Sequence, residues 1–451
     1  MRSIVLALIL TFVAATAHAQ STATLEGAVT DQSGAAMPGV SLAIRNNATG
    51  TERTVVSDAS GKYVAASLPP GIYTVVAHLE GFGDQTRGIE LGVAQTVSLD
   101  LQMSVQALAE NVTVVGLSPL IETATISVGQ VMTQRTLQEM PLNGRHFVDL
   151  GPMMPGGVTP PQNANLSAAL RGQGSFSFFS AGNRETAVNF MINGINLNDL
   201  SNSQVTFQPS INTVSEFKLD NSTFSAEYGR NSGAIVNVAT RSGANAMHGE
   251  GFTFYRDDSL DSRNFFNPEP NPKSPFNRKQ FGVNLGGPIK KNKMFYFFSY
   301  EGLRHTQGVD LNAGVLTDAQ RAAVTDPVAQ NLLKYIPLGN TTDANGQARL
   351  LASGIAPVNI DQYTIDVRNN LGAQDDLHGY YAYQKDLRQE PNAQGNTVPG
   401  FGDTRGGKRQ VMTLNETHVF SQALVNEARA GYNRIQISFN PQVVVNPTDL
   451  G

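Results

Sequence analysis

The chain has 451 residues, 40% hydrophobic and 15% charged, with 43 Gly, 22 Pro, no Cys and a net charge of −5. That length allows about two to four domains, and the low charge with many turn formers points to short strands rather than long helices. A negative balance without a Lys/Arg-rich block argues against a nucleic-acid partner, and the missing cysteines exclude disulfides, thiol nucleophiles and thiolate metal sites.

Arg2, the apolar run over residues 4–13 and Ala17-His18-Ala19 read as a signal peptide over residues 1–19, cleaved between Ala19 and Gln20. The apolar run is about ten residues, whereas a spanning helix needs roughly 20. No other stretch approaches that length. Membrane insertion would therefore require a barrel, because only helices and closed barrels satisfy their backbone in lipid.

Residues 25–29, 40–44, 54–57, 63–65, 73–77 and 96–101 are β-like runs separated by turn clusters such as Asp31 to Gly34 and Asp58 to Gly61. This spacing predicts an antiparallel β-sandwich. The segments GAVTD (27–31), AMPGV (36–40), TVVSDASGKY (54–63) and LPPGIY (68–73) resemble the carboxypeptidase regulatory-like domain. That resemblance implies a transthyretin-like, carbohydrate-binding-like sandwich over residues 20–106 without catalysis. No His-x-x-Glu pair with a distant His is present, so the zinc chemistry in the family's name is not expected.

The linker 107–116 contains Glu110, Asn111, Val112, Thr113, Val114, Val115 and Gly116, a short β-branched run. It reads equally as an edge strand of the sandwich or as the first strand of the next unit. The segments LQEMPLNGR (137–145), LRG (170–172), NFMINGI (189–195), VSEFK (214–218), SAEYGRNSG (225–233) and VNVATRSG (236–243) resemble the plug of TonB-dependent receptors. The resemblance implies an α+β plug over residues 117–245, with motif positions Arg145, Arg171, Gly172, Asn193, Gly194, Glu227, Tyr228, Gly229 and Arg230. Asn193 departs from the family, which has Asp there. Asn suits a turn before Gly, so the backbone role survives without the charge. Glu227 and Arg230 pair with each other or with a barrel wall, or form a solvated turn. With a plug following, residues 110–116 gain a third reading as a TonB box, which adds as a strand to a TonB-type periplasmic energy-coupling protein.

From His248 onward, residues alternate with period two. Phe252 and Phe254 alternate with Thr253 and Tyr255, Phe281, Val283 and Leu285 with Gln280, Gly282 and Asn284, and Tyr363, Ile365 and Val367 with Thr364, Asp366 and Arg368. Apolar-out, polar-in alternation with aromatics near strand ends is the transmembrane barrel pattern. The segments YRDDSLDSRNF (255–265), FGVNLGGPIK (281–290), FSYEGLR (298–304) and LVNEARAGYNR (424–434) resemble the Oar-like subgroup of TonB-dependent transporters. A plugged lumen goes with about 22 strands, whereas residues 246–451 accommodate about six to nine. The expectation is an incomplete antiparallel barrel, C-terminally unfinished and transport-incompetent alone, with variable loops such as residues 307–356.

The sequence thus predicts a mainly β chain in the cell outer membrane, its N-terminal domain periplasmic. The expected function is energised uptake of an unidentified extracellular ligand (oligosaccharide, peptide or metal chelate). The alternative is adhesion or matrix assembly, with the sandwich as a carbohydrate- or protein-binding module. No catalytic or metal residues and no cofactor are expected. The segment GDTRGGK (402–408) meets Arg409 where a phosphate-binding loop needs Ser/Thr, no G-x-S-x-G occurs, and the seven His residues are scattered.

Overall fold

These alternating runs fold, in a computed structural model, into a sandwich, a central α/β unit and a long-stranded wall. The structure describes residues 22–105, 113–114, 128–159, 171–226, 228–263, 269, 273–372, 374–392, 401–421, 424–443 and 445–451. The predicted cleavage pair Ala19 and Gln20 lies outside these residues, as do Glu110, Asn111, Val112, Val115, Gly116 and Glu227. Among the described residues no helix is long and apolar enough to cross a membrane, which leaves strands untested.

The sandwich contains β1 (Ala23–Thr30), β2 (Ser41–Asn46), β3 (Glu52–Val56), β4 (Lys62–Leu68), β5 (Gly71–His78), β6 (Gln85–Leu91), β7 (Thr96–Ser98) and β8 (Leu101–Gln102). One sheet has the order β4-β1-β7, with β8 also on β1; the other runs β3-β2-β5-β6 and ends on β9 (Thr113–Val114). Leu25, Leu42, Ile44, Val75 and Ile89 meet between the sheets and are fully buried. Each such side chain contributes roughly 1.5–3 kcal/mol.

Two features correct the expected antiparallel sandwich. β7 and β8 run parallel to β1, because the chain crosses to the other sheet and back before returning to that edge. The sequence runs give no strand at β6, because polar Gln85 and Arg87 occupy the same face as buried Ile89 and Leu91 and leave too short an apolar alternation.

The central unit is a mixed sheet of order β10-β15-β16-β13-β14, formed by β10 (Val128–Thr133), β13 (Asn189–Ile192), β14 (Ile195–Asn196), β15 (Val214–Ser222) and β16 (Ile235–Thr240). The small pair β11 (Gly157–Val158) and β12 (Phe179–Ser180) flanks it. A short helix, Gln134–Glu139, starts where the Thr133 side chain accepts from the Thr136 N–H, and it buries Leu137. The core is aromatic: Phe147 meets Phe190 and Phe217 edge-to-face, with ring centroids 6.3 and 5.8 Å apart. Asn193 (φ +47°) and Gly194 (φ +80°) close the β13–β14 hairpin. Two consecutive positive φ values define a type I′ turn, for which Asn-Gly is the preferred pair.

The wall is an antiparallel sheet of order β17-β18-β19-β21-β22-β23-β24, with β20 (Thr341–Thr342) on β21. Its strands are β17 (His248–Asp257), β18 (Phe276–Lys290), β19 (Met294–Gly314), β21 (Ala348–Asn370), β22 (Asp375–Glu390), β23 (Asp403–Ser421) and β24 (Leu424–Pro441). Among the described residues β17 and β24 do not pair with each other, so the sheet is open. The loop expected over residues 307–356 is shorter. The β19–β21 ladder continues from Gln307↔Ala356 to Gly314↔Arg349, and two short helices occupy part of the remainder.

Val283, Leu285, Phe298, Tyr363, Ile365, Tyr381, Met412 and Leu414 stand on the exposed outer face. Tyr300 joins them, 5.0 Å from the Tyr363 ring and donating to Asp361 at 2.7 Å, as amphipathic aromatics do at a membrane boundary. The inner face departs from the expected polar lining. Phe295 and Phe297 are fully buried there, and Tyr380, Ala382 and Val411 join the apolar core of the central unit. Where protein rather than water covers the inner face, apolar packing is the favourable choice.

Replacing Phe217 by Ala removes a ring that packs on Phe147 and is expected to destabilise the central unit by ~3–5 kcal/mol. The check is the urea concentration at which trypsin begins to cut that unit in the detergent-solubilised chain; an unchanged midpoint contradicts the packing described.

Candidate functional site

The central unit sits on the wall through inner-facing side chains at period two. On β21, Gln362 receives the Ser210 N–H at 2.7 Å and donates to the Gln208 carbonyl at 2.8 Å. Ser210 also donates to Glu301 of β19, which accepts from Gln280 of β18 at 2.6 Å. Arg409 of β23 donates to the Thr206 carbonyl at 2.7 Å, and Thr206 donates to Asn433 of β24 at 2.7 Å. Residues 206–210 therefore make contacts to four wall strands, β19, β21, β23 and β24. Beside them a cleft is bordered by Arg145, His146, Gln173, Gln280, Glu301 and Arg409. Burial and nearby Arg278 push the His146 imidazole down to about 4, so it is neutral at physiological pH.

A second seat lies at the hairpin. Asp366 of β21 is fully buried, accepts from Ser242 at 2.7 Å and from Thr240 at 3.2 Å, and pairs with His378 of β22 at 2.6 Å. Asn193 completes this network. Its amide donates to the Thr240 hydroxyl at 2.9 Å, its side-chain oxygen accepts the Thr240 N–H at 3.1 Å, and its carbonyl accepts from Asn415 at 3.0 Å. An Asp at position 193 would place a second carboxylate one hydroxyl away from Asp366. The uncharged residue thus has a physical cause.

The other anticipated positions divide. Arg171 forms an ion pair with Glu390 of β22. Gly172 (φ +73°) lies against the wall so closely that a Cβ would stand 2.7 Å from Val358. Arg145 donates to Asn212 at 2.5 Å and places its guanidinium 4.5 Å from the Phe254 ring centroid. Tyr228 accepts from Asn237 at 3.3 Å, next to Gly229, while Arg230 reaches Asn196 at 3.5 Å rather than the wall. Thr113 and Val114 pair parallel to β6, with Thr86↔Thr113 and Arg87↔Val114. The fold also gathers Asp375, Glu416 and His418, whose metal-capable atoms lie within 4.8 Å of one another. His418 and Asp375 already satisfy each other at 2.5 Å.

The sandwich reaches the central unit through the turn after β6. Glu216 of β15 accepts the Val93 N–H at 2.5 Å, and Lys218 donates to the Ala94 carbonyl at 2.9 Å. Lys218 is only 3% exposed and lies 3.7 Å from Asp220. Burial pushes the Glu216 carboxyl up to about 7, opposed by the Val93 N–H and reinforced by Glu90. Sequence reasoning passed over Glu216, Lys218, Gln362, Asp366 and Arg409. Their only signal was polar residues at period two, which a solvated strand face shares.

Residues 24–104 match the model of a carboxypeptidase regulatory-like domain, and residues 239–325 and 322–450 match that of an outer membrane beta barrel domain. The TonB-dependent transporter Oar of Myxococcus xanthus is 27% identical over 323 residues, covering 66% of this chain and 29% of the relative. The chain thus spans about three-tenths of the length of that curated relative. Among solved structures, the outer membrane transporter YddB of Escherichia coli aligns at 10% identity and a TM-score of 0.48, over 68% of this chain and 38% of the other. The ferric enterobactin receptor PfeA of Pseudomonas aeruginosa aligns at 11% identity and a TM-score of 0.44, over 68% and 41%.

Two outcomes follow from these contacts. Asn193→Asp loses a donor and gains a charge beside Asp366, with an expected cost of ~1–3 kcal/mol; thermal melting of the full chain should drop, and an unshifted curve contradicts the network. Glu216 has a folded value above its ordinary 4.5, so its contribution to docking is fully present below about 4.5 and is lost as pH rises through about 7. Hydrogen exchange at the Val93 amide, corrected for its intrinsic pH dependence, should be faster at pH 8 than at pH 6. Glu216→Gln should flatten that difference; equal protection at both pH values in the native chain counts against it.

Proposed function

We propose that this outer-membrane chain, a homologue of the TonB-dependent transporter Oar with carboxypeptidase regulatory-like and outer membrane β-barrel domains, belongs to an energised uptake receptor and is not an enzyme. In this reading the central unit is the plug, the wall is part of the barrel that holds it, and the sandwich lies on the periplasmic side. Residues 110–116 are the segment that a TonB-type partner takes up by strand addition. The ligand enters from outside toward the cleft at Arg145, His146 and Arg409. Its chemistry falls among the oligosaccharides, peptides and metal chelates expected from the resemblance.

The observation that carries this reading is the seat of residues 206–210. Gln362, Glu301, Arg409 and Asn433 hold it mainly through side-chain hydrogen bonds from separate wall strands. Such bonds contribute a net ~0.5–1.5 kcal/mol, or ~1.5–3 kcal/mol where Glu301 or Arg409 is the partner, and can be exchanged for water one at a time. A unit whose aromatic core lies largely within itself, shared with the wall at Tyr380, Ala382 and Val411, and whose seat at residues 206–210 is polar can shift against the wall without unfolding. Force needs a handle on the chain before β10, and residues 110–116 occupy that place.

Val114→Pro tests the handle, because proline removes a ladder donor and fixes φ. Capture of the detergent-solubilised full chain by the periplasmic domain of the host's TonB-type protein should fall about tenfold or more, or ~1.4 kcal/mol. Undiminished capture of a normally folded variant assigns the segment to the sandwich edge alone.

A further inference from the structure

One register row on the inner face of the wall is cationic from strand to strand. Its directly paired members are Arg256 of β17, Arg278 of β18, His305 of β19, Val358 of β21, Arg388 of β22 and Arg405 of β23. The cleft opens on the neighbouring inner row, at Gln280, Leu303 and Ile360. The sandwich meets the wall at Asn370, the other end of β21. Side chains directly opposed in a sheet have Cβ atoms about 5 Å apart, and like charges so placed repel. Arg256 and Arg278 form one such pair, their guanidiniums 4.6 and 5.6 Å from the same Phe276 ring centroid. Arg388 and Arg405 form another, and Arg171 of the central unit comes to Arg388 through a shared partner, Glu390.

The carboxylates beside the row do not balance it. Asp261 pairs with Arg256 at 2.9 Å and Asp403 with Arg405 at 2.8 Å, while Glu390 serves both Arg171 and Arg388. Among the described residues Arg278 has no carboxylate partner and donates to Asn143 at 2.8 Å. Nε of Arg278, Nη1 of Arg388 and both ring nitrogens of His305 are buried without a hydrogen-bond partner among the described residues. Arg388 is 6% exposed and His305 2%. Buried donors left unpaired are costly, and so are opposed guanidiniums. An anion among them satisfies the donors and cancels the repulsion together, since the planar guanidinium fork fits carboxylate and phosphate oxygens. A neutral sugar brings no compensating charge. We propose that this row is an anion subsite of the cleft, so that the ligand carries carboxylate or phosphate groups and is not a neutral oligosaccharide. The proposal rests on reading the cleft as the ligand's entrance, and it names the charge of what enters.

Calorimetric titration of the detergent-solubilised full chain with citrate, pyrophosphate and maltotriose, at matched ionic strength, tests the subsite. Citrate or pyrophosphate should bind and maltotriose should not; the tighter of the two anions tells a carboxylate ligand from a phosphate one. Arg278→Gln combined with Arg388→Gln should weaken anion binding about tenfold or more. Glu390→Gln, which removes the competing carboxylate, should strengthen it. The proposal is overturned if the native chain binds neither anion, if maltotriose binds as well as they do, or if the double variant binds them undiminished. Should the double variant not fold, unchanged anion affinity in Glu390→Gln overturns it instead. Undiminished capture of Val114→Pro by the TonB-type protein counts against the uptake reading alone, because anion binding is measured without that partner.

Discussion

An extended strand must hand every backbone N–H and C=O to a neighbour, and in the wall this requirement fixes the side-chain period at two across six consecutive strand pairings. One parity then faces outward along all of them and the other faces the central unit. The outer parity collects Val283, Phe298, Ile365, Tyr381 and Met412; the inner parity collects Gln280, Gln362, Asp366, Gln384 and Arg409. A slip of one residue in any pairing would exchange those sets. The central unit keeps its seat only because the register does not slip.

On that inner face the polar and apolar contacts perform different tasks. Tyr380, Ala382 and Val411 extend the aromatic core around Phe147, Phe190 and Phe217, giving area-dependent, non-directional adhesion. Gln362, Arg409 and Asp366 give direction, since each bond is made in only one pose. Asp366 is the costly member: a fully buried carboxylate is tolerable because Ser242, Thr240 and His378 all engage it. Asn193 closes that group without adding charge, so turn geometry and electrostatics agree at one residue.

The sandwich touches the other two units differently. Toward the wall it offers loops: the Ala48 and Thr49 carbonyls accept from Asn245, and Thr51 accepts from Asn370. Toward the central unit it offers the turn after β6 to buried Glu216 and Lys218. The same element that pairs with Thr113–Val114 is therefore tied to β15, the second strand of the central sheet.

Local pattern was enough for much of this architecture. Alternation placed the wall strands, the Asn-Gly pair placed the β13–β14 turn, and ordered motifs identified the sandwich and the family resemblance, since strand period and turn chemistry act over a few residues. The β6 strand escaped because its polar residues dilute the alternation, and the inner face read as polar because period two does not say whether water or protein covers it. The partners of the site were beyond local reach. Thr206 meets Asn433, Ser210 meets Gln362 and Arg171 meets Glu390 across more than 150 residues of chain, and Glu216 finds its acceptor role on the turn of another domain. The sequence by itself determined which residues extend, turn and alternate. Only the tertiary structure decided which inner-facing side chain meets which, because those contacts depend on the pose of one finished unit against another.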